Sequence, residues 1–335
     1  MKNSVRAILV PLFSGLIVVV FASLALKTPK KIQIGFLVHD LVADRWRKDT
    51  ESFAKEIEQL GGELVIKNAF GDATAQVAQG KLLIDDGIKV IAVVAQDGNL
   101  LGELVEYANK NGAKIIAYDR MILNCNLDYY ISFNSIKVGE LMSEYALKLK
   151  PKGNYVILNG PASDNNALLI RQGLMKNLQK HIDNGSVKVL LEKEMDSWYG
   201  LSALLVMNDF IATKQHIDVL ITGSDDLATG AIDAFNSASL PTPIVTGQDA
   251  SLDACRNIVL GKQSMTVYKS IKKLSKEAAI LAMKLAKGEK VEFTTSLSNG
   301  KKDVPSFLFD PVVVDKSNLE TTVVADGHIK TSDLK

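Results

Sequence analysis

Residues 32–67 read IQIGFLVHDLVADRWRKDTESFAKEIEQLGGELVIK and combine the three patterns that decide the fold. The run 32–38 is apolar and rich in branched side chains, which predicts a buried strand. Phe53, Ile57 and Leu60 then recur at helical spacing within 47–60, and the glycines at 61 and 62 end that helix. The apolar run 64–67 predicts the next strand. Strand, helix and strand in this order are typical of a βαβ unit with parallel strands.

The same alternation continues along the chain. Further strands are predicted at 90–95, 114–118, 154–158, 187–191, 218–222, 243–247 and before Tyr268, and further helices at 74–86, 100–111, 166–181, 201–213, 228–238 and 271–286. These strands are too numerous for one simple open sheet. We therefore expect an α/β fold of two Rossmann-like lobes with parallel sheets, joined by a three-segment hinge.

The three hinge segments are expected near 129–140, 268–269 and 288–294. Residues 31–133 and 269–290 would then form the N-terminal lobe. Residues 134–268 and 291–335 would form the C-terminal lobe, with the polar stretch 295–302 as a loop and the apolar stretch 305–314 as a docking strand.

Residues 1–30 have a different character from the rest of the chain. Nineteen uncharged residues at 8–26 follow Lys2 and Arg6 and precede three lysines. This pattern predicts an N-terminal signal or anchor helix and a body outside the cytoplasm. A cleavable signal peptide has an apolar stretch of roughly 7–15 residues and a site such as Ser-Leu-Ala at 23–25. A spanning anchor needs about 20 apolar residues, and the length of the run favours this second interpretation.

Charge and composition exclude several classes of protein. With 47% hydrophobic and 23% charged residues, the 335-residue chain has ordinary globular composition, which excludes a disordered or fibrous protein. Residues 1–31 hold five of the 39 basic side chains and no acid, which leaves 34 basic against 38 acidic side chains and a net charge of −4. A mildly acidic body fits poorly to a phosphate backbone, so no nucleic-acid partner is expected.

Signatures of catalysis and metal binding are missing from the sequence. No G-x-G-x-x-G follows a strand, and neither G-x-x-x-x-G-K nor G-x-S-x-G occurs. The two cysteines, Cys125 and Cys255, and the four scattered histidines have no ligand spacing. We therefore expect no enzyme, no cofactor and no metal. Carboxylates such as Asp119 and Asp249 leave a sugar-active enzyme as the weaker alternative.

Charged and aromatic side chains follow the predicted strands. In open α/β sheets ligands bind beyond the carboxyl ends of the strands, so two facing sheets would present these side chains to one cleft. A sugar stacks its apolar C–H faces on aromatic rings, while its hydroxyls bond most strongly to charged groups. A tryptophan at a strand end is also a common core residue, but here both tryptophans of the chain fall in the set. The candidates for a sugar site are Arg45, Trp46, Asp119, Arg120, Asn166, Trp198, Asp225, Asp249 and Lys269.

Seven segments in order along the chain carry a resemblance to a known family. They are RWRKD (45–49), AYDRMI (117–122), YISFN (130–134), KVGEL (137–141), DNNA (164–167), TGQDA (246–250) and MTVYK (265–269). The body resembles bacterial periplasmic sugar-binding proteins of the ribose/galactose class (type I), and within that class the D-xylose type.

The resemblance implies a pentose, D-xylose, held between Trp46 and Trp198, with the other seven candidates hydrogen-bonding its hydroxyls. One position departs from the xylose type, since Asp225 stands where that type carries an asparagine. A carboxylate does not donate a hydrogen bond as an amide does, so the recognised hydroxyl pattern can differ. A binding protein for another small polyol or sugar-like signal therefore stays open.

The family also implies a mechanism and a partner. The lobes would close on the sugar, and a membrane protein would read the closed form. An ABC sugar permease is the family's standard reader, whereas a permanent anchor at residues 8–26 favours a membrane sensor such as a histidine kinase. Repressors with the same core fold would carry a basic helix-turn-helix head in place of the apolar run.

Overall fold

The computed structural model describes residues 31–334, which fold as two α/β lobes. The strands are β1 (Ile32–Val38), β2 (Gly62–Asn68), β3 (Val90–Val93), β4 (Lys114–Tyr118), β5 (Tyr129–Phe133), β6 (Gly153–Asn159), β7 (Val187–Glu194), β8 (Val219–Thr222), β9 (Ile244–Gln248), β10 (Met265–Tyr268), β11 (Thr295–Ser298), β12 (Asp303–Phe309) and β13 (Val312–Val314). The helices are α1 (Asp44–Gln59), α2 (Ala73–Asp85), α3 (Gly102–Lys110), α4 (Ser135–Leu149), α5 (Asn165–Asp183), α6 (Gly200–Ala212), α7 (Asp225–Ser237), α8 (Leu252–Val259) and α9 (Ile271–Ala286).

Each lobe is built on one sheet. The sheet of the N-terminal lobe has the order β11-β12-β5-β4-β3-β1-β2, and that of the C-terminal lobe has the order β13-β10-β9-β8-β6-β7. The described pairings are parallel except β11 with β12 and β10 with β13. The predicted architecture of two α/β lobes with mostly parallel sheets is confirmed.

The alternation of side chains along β1 shows why both faces of a sheet are covered. Phe36 and Val38 pack with α1 and α9 on one face, while Leu37 packs with α2 and α3 on the other. Successive residues of a strand point to opposite faces, so a continuous apolar run such as 34–38 is needed where helices cover both. The sheet of the C-terminal lobe is covered in the same way by two further clusters of buried residues.

The chain passes between the lobes at three places. It leaves the N-terminal sheet after Phe133, returns to that lobe between Tyr268 and Ile271, and crosses again between Phe309 and Val312. The expected third crossing near 288–294 is therefore wrong. The expected assignment of residues 291–335 to the C-terminal lobe is also wrong for Thr295–Phe309, because β12 pairs in parallel with β5 in the N-terminal sheet.

The segment 305–314, expected as one strand, is two strands in different sheets. Residues Asp310 and Pro311 separate β12 from β13, and proline has no N–H with which to continue a ladder. The stretch 295–302, expected as a loop, contains β11 and the turn that leads to β12.

The predicted signal or anchor helix at 8–26 lies outside the described residues. None of the helices between residues 31 and 334 combines the length and the apolar character needed to cross a membrane.

Candidate functional site

A cavity of about 290 Å³ lies between the carboxyl ends of the two sheets. Several helices that follow these strands begin with a side-chain cap, such as Asp164 for α5 and Ser224 for α7. These caps fix the first helical residues at the cavity wall. All nine residues singled out from the sequence line this one cavity: Arg45, Trp46, Asp119, Arg120, Asn166, Trp198, Asp225, Asp249 and Lys269.

Arg45 is the central cation of the cavity. From the first turn of α1 its guanidinium bonds Asp119 in its own lobe and Asp249 in the other lobe, while its Nε lies 3.3 Å from the Asp49 carboxylate. Burial disfavours the charge of Arg45, but these carboxylates outweigh it and raise the pKa of Arg45 well above its usual value. Arg45 thus stays charged while it joins the two lobes.

Lys269 is the second cation of this group and lies in the hinge. Its Nζ is 3.0 Å from Asp249 Oδ1 and 4.0 Å from Asp119 Oδ1. Burial would raise the pKa of Asp249, but Arg45 and Lys269 lower it to about 2. Burial would also raise the pKa of Asp119, but Arg45 and Lys269 lower it below its usual value. The ionised forms of Asp249 and Asp119 are therefore favoured, and these can accept hydrogen bonds from hydroxyl groups.

Trp46 is both a core residue and a wall of the cavity. Only 6% of its surface is exposed, and it packs into the core beside α9. The guanidinium carbons of Arg45 and Arg120 lie 4.8 and 5.3 Å from its ring centroid, within the range of cation–π attraction. These two cations fix the ring where it meets the cavity.

Trp198 is the aromatic wall of the other lobe. Its Nε1 donates to Asp164 Oδ2 at 3.1 Å, and its ring is half-buried against both apolar clusters of that lobe. The ring needs the glycine at position 160, because a Cβ there would lie 2.1 Å from the indole Cη2. The G-P-A-S-D segment after β6 thus supplies both the space and the anchor for this indole.

Two further contacts join the lobes across the cavity. Arg120 Nε lies 2.9 Å from Asp164 Oδ2, and Asn166 Nδ2 donates to both the carbonyl and the carboxylate of Asp119 at 3.1 and 3.2 Å. The side-chain oxygen Oδ1 of Asn166 accepts a hydrogen bond from Ser135 Oγ at 2.9 Å, which fixes the orientation of the side-chain amide.

Asp225 differs from the other carboxylates because no lysine or arginine between residues 31 and 334 pairs with it. It accepts hydrogen bonds from Ser251 N, Gln263 Nε2 and Thr266 Oγ1, all at 2.9 Å. Burial outweighs these donors and raises the pKa of Asp225 well above its usual value. Burial thus disfavours the charged form of this side chain, and its protonated form would be able to donate a hydrogen bond.

The sequence did not indicate the residues that hold the nine candidate site residues in place. Asp164 binds Trp198, Arg120 and the start of α5, yet by sequence it is one aspartate in a loop. Asp49 is fully buried between Arg45 and the Tyr118 hydroxyl. The i,i+4 spacing of Arg45 and Asp49 on a helix could have indicated this pair.

Comparison with known proteins agrees with this fold. Residues 34–290 match the family model described as a periplasmic binding protein domain. The chain therefore belongs to the family of periplasmic binding proteins.

Individual relatives are more specific. The chain is 41% identical to the D-xylose-binding periplasmic protein of Haemophilus influenzae over 90% of this chain and 92% of that protein. It is 39% identical to the protein of the same name from Escherichia coli, over 91% and 93%. A solute-binding protein of an ABC transporter from Clostridium phytofermentans, solved with β-D-glucose, superposes with a TM-score of 0.86 at 28% identity and covers 90% of this chain and all of its own.

Proposed function

We propose that this protein binds D-xylose between its lobes and reports the bound sugar to a membrane partner. The observation that carries the proposal is the joint presence of paired charges and two indoles around one cavity, contributed by both lobes. Two relatives at 39–41% identity over nearly the whole chain are named as D-xylose-binding proteins, which supports the choice of sugar.

The roles follow from the chemistry of each group. Trp46 and Trp198 would offer aromatic surface to the C–H faces of the ring. The ionised Asp119 and Asp249 would accept hydrogen bonds from hydroxyls, while Arg45, Arg120, Lys269 and Asn166 would donate to hydroxyl oxygens. Most of these charged side chains are already paired with one another in the protein. Their pairing compensates for the cost of removing them from water, so this cost need not be met when the sugar binds.

Asp225 is the position where the choice of sugar is most open. Burial raises the pKa of Asp225, and a protonated Asp225 would donate a hydrogen bond as the asparagine of the xylose type does. An ionised Asp225 would instead select a ligand with a hydroxyl donor at that point. Because the hydrogen bond made by Asp225 depends on its protonation, another polyol is the alternative ligand.

Calorimetric titration with xylose, ribose, galactose and glucose tests the proposal. We expect heat of binding with xylose, and weaker or no heat with the two hexoses, since an added CH₂OH group must fit the small cavity. Binding of none of the four sugars would refute the sugar assignment. Preference for a sugar other than xylose would transfer the function to the alternative ligand.

Closure of the cleft would be the signal. A ligand stabilises a closed form only by contacts that it makes better there than in the open form. Two ion pairs between the lobes, Arg45 with Asp249 and Arg120 with Asp164, lie beside the cavity. A sugar that touches both members of each pair would gain its full set of contacts only with the lobes together.

A tyrosine at the mouth of the cleft provides a measurable test of closure. Tyr199, just before α6, donates from its hydroxyl to Asp40 Oδ2 of the other lobe at 2.8 Å. We expect Tyr199→Phe to weaken xylose binding about 5-fold, mainly through faster dissociation, since one bond of the closed form worth about 1 kcal/mol is lost. Stopped-flow kinetics measures the two rate constants.

Tyr107→Phe is the matched control for this variant. Tyr107 donates to Asp85 at 2.7 Å, and both residues belong to the N-terminal lobe. Its substitution should leave both rate constants unchanged. An equal effect of the two variants, or none for Tyr199→Phe, would contradict a role of Tyr199 in closure.

The partner is proposed to be a membrane sensor histidine kinase, with an ABC sugar permease as the alternative. A binding protein fixed to the membrane by residues 8–26 suits continuous reporting to one receptor, whereas a diffusing one suits delivery to a permease. N-terminal sequencing of the mature protein from membrane and soluble fractions decides between anchor and cleaved signal. Capture of membrane proteins with and without xylose then identifies the reader.

A further inference from the structure

We propose that Asp326 and His328, in the C-terminal tail (residues 315–334), are positioning residues that hold Asp249 and Lys269 in the sugar site. This inference rests on the proposed function and deepens it. Neither residue lines the cavity, so each would act through the backbone that carries another side chain. Both also lie beyond the residues 34–290 that match the family model.

The first observation concerns the hinge on either side of Lys269. Tyr268 Oη and Ser270 Oγ both donate to the same carboxylate oxygen of Asp326, each at 2.6 Å. Hydrogen bonds to a carboxylate are stronger than those between neutral groups. The two neighbours of Lys269 are thus tied to one point, which restricts the backbone from which Lys269 reaches Asp249.

The second observation concerns the loop after β9. Asp249 and Ala250 both have a positive φ, at 97° and 50°, a backbone conformation that residues other than glycine rarely adopt. Such strain persists only where the surroundings hold it. His328 Nε2 lies 3.0 Å from the Ala250 carbonyl oxygen, and because a carbonyl only accepts, Nε2 is the donor.

The short segment 326–328 therefore contacts the backbone neighbours of both Asp249 and Lys269. The His328 ring also lies against Tyr268, with centroids 5.1 Å apart, so the loop and the hinge are held by neighbouring side chains. The carbonyl oxygen of His328 lies 3.5 Å from Lys48 Nζ on α1, which brings the segment into contact with the other lobe.

The tail is itself firmly packed, as a positioning element must be. Leu319, Val323, Ile329 and Leu334 form a buried cluster with Ala250, Tyr268 and their neighbours. Arg256 on α8 adds a bond from its Nε to the Asp333 carbonyl at 2.7 Å. Asp326 and His328 are thus attached to a small core rather than to a free chain end.

The test measures xylose affinity by calorimetry and melting temperature for four variants of the full chain. We expect Asp326→Ala to weaken binding about 10-fold. Asp326→Asn, whose amide oxygen can accept both bonds, should stay within about 3-fold of the original protein. The double variant Tyr268→Phe/Ser270→Ala should reproduce the loss while keeping the carboxylate. Ser332→Ala, an exposed change in the same tail, should have no effect.

A double-mutant cycle separates positioning from general destabilisation. If Asp326 acts through Lys269, Asp326→Ala should cause little further loss of affinity in a Lys269→Met background. A loss that is the same in both backgrounds, or an unchanged affinity of Asp326→Ala, would overturn the proposal.

Hydrogen exchange of the unliganded protein provides a measurement independent of the sugar. Asp326→Ala should accelerate exchange at the amides of residues 268–270, and His328→Ala should accelerate it at those of residues 249–250, whereas Ser332→Ala should accelerate neither. If the original protein binds no xylose, the proposed function fails, whereas these exchange rates still decide whether the tail holds the two segments. Unchanged exchange would refute the positioning role.

Discussion

Substitution of Trp198 by alanine is expected to reduce the affinity for xylose about 100-fold. A tryptophan ring contributes up to roughly 150–250 Å² of contact surface, and loss of part of it costs about 2–3 kcal/mol of binding free energy. The change also leaves Asp164 without its indole donor, which loosens the group that holds Arg120. Calorimetric titration measures the affinity.

The stability of the unliganded protein provides the control for Trp198. The ring is half-buried against two apolar clusters, so we expect Trp198→Ala to lower the free energy of unfolding by about 1–2 kcal/mol. Trp198→Phe keeps an aromatic face and should retain most of the affinity. A large loss of stability together with unchanged affinity would show that Trp198 is a core residue without a role in binding.

Among the substitutions considered, Arg45→Met is expected to cause the largest loss in the free energy of unfolding. Three carboxylates, those of Asp49, Asp119 and Asp249, lose their shared cation in a buried place. Removal of one partner from a buried charge pair costs about 3–5 kcal/mol of unfolding free energy. Xylose binding should become undetectable by calorimetry, because Asp119 and Asp249, the two carboxylates proposed to accept hydrogen bonds from the sugar, lose their positions.

The loss caused by Arg45→Met should depend on pH with a definite sign. Arg45 and Lys269 lower the pKa of Asp249 below its unfolded value, so this pairing stabilises the protein above pH 4 and is lost as pH falls towards 2. The difference between variant and original should therefore be largest at neutral pH and shrink on acidification. Denaturant unfolding at pH 7, at pH 4 and near pH 2 measures it, with the decrease expected between the last two.

Arg47→Met is the matched control on the same helix. Arg47 is half-exposed and pairs with Asp44 at 3.1 Å, and such surface pairs contribute about 0–1 kcal/mol. Its substitution should leave stability and affinity nearly unchanged. A similar loss of stability for both arginines would refute the central role of Arg45.

The walls of the cavity could be predicted from the sequence because a parallel sheet has a simple rule. Residues that follow the strands of a sheet meet at one edge, and the facing edges of the two sheets bring Asp119 together with Asp249 and Lys269, although these are far apart in the chain. Their pairing partners could not be predicted in this way. The bonds of Asp164 depend on the distance between two lobes, which no local pattern encodes.

The sheet assignment of residues 295–309 failed for a related reason. An apolar run such as 305–314 predicts a strand but not the sheet that it joins, since strand pairing depends on free edges elsewhere in the fold. In the structure, β12 pairs with β5 in the N-terminal sheet, whereas β13 pairs with β10 in the C-terminal sheet. Likewise, the sequence of the tail offers no signal that Asp326 meets the hinge.

The three links between the lobes also limit how the molecule can move. Between the flanking elements they consist of Asn134, of Lys269 with Ser270, and of Asp310 with Pro311. Connections this short allow the two halves to turn about a common line through the links but hardly to slide past each other. Points at the open rim, such as Tyr199 and Asp40, then travel farthest for a given angle, so a pair of distance probes there would detect the swing most sensitively.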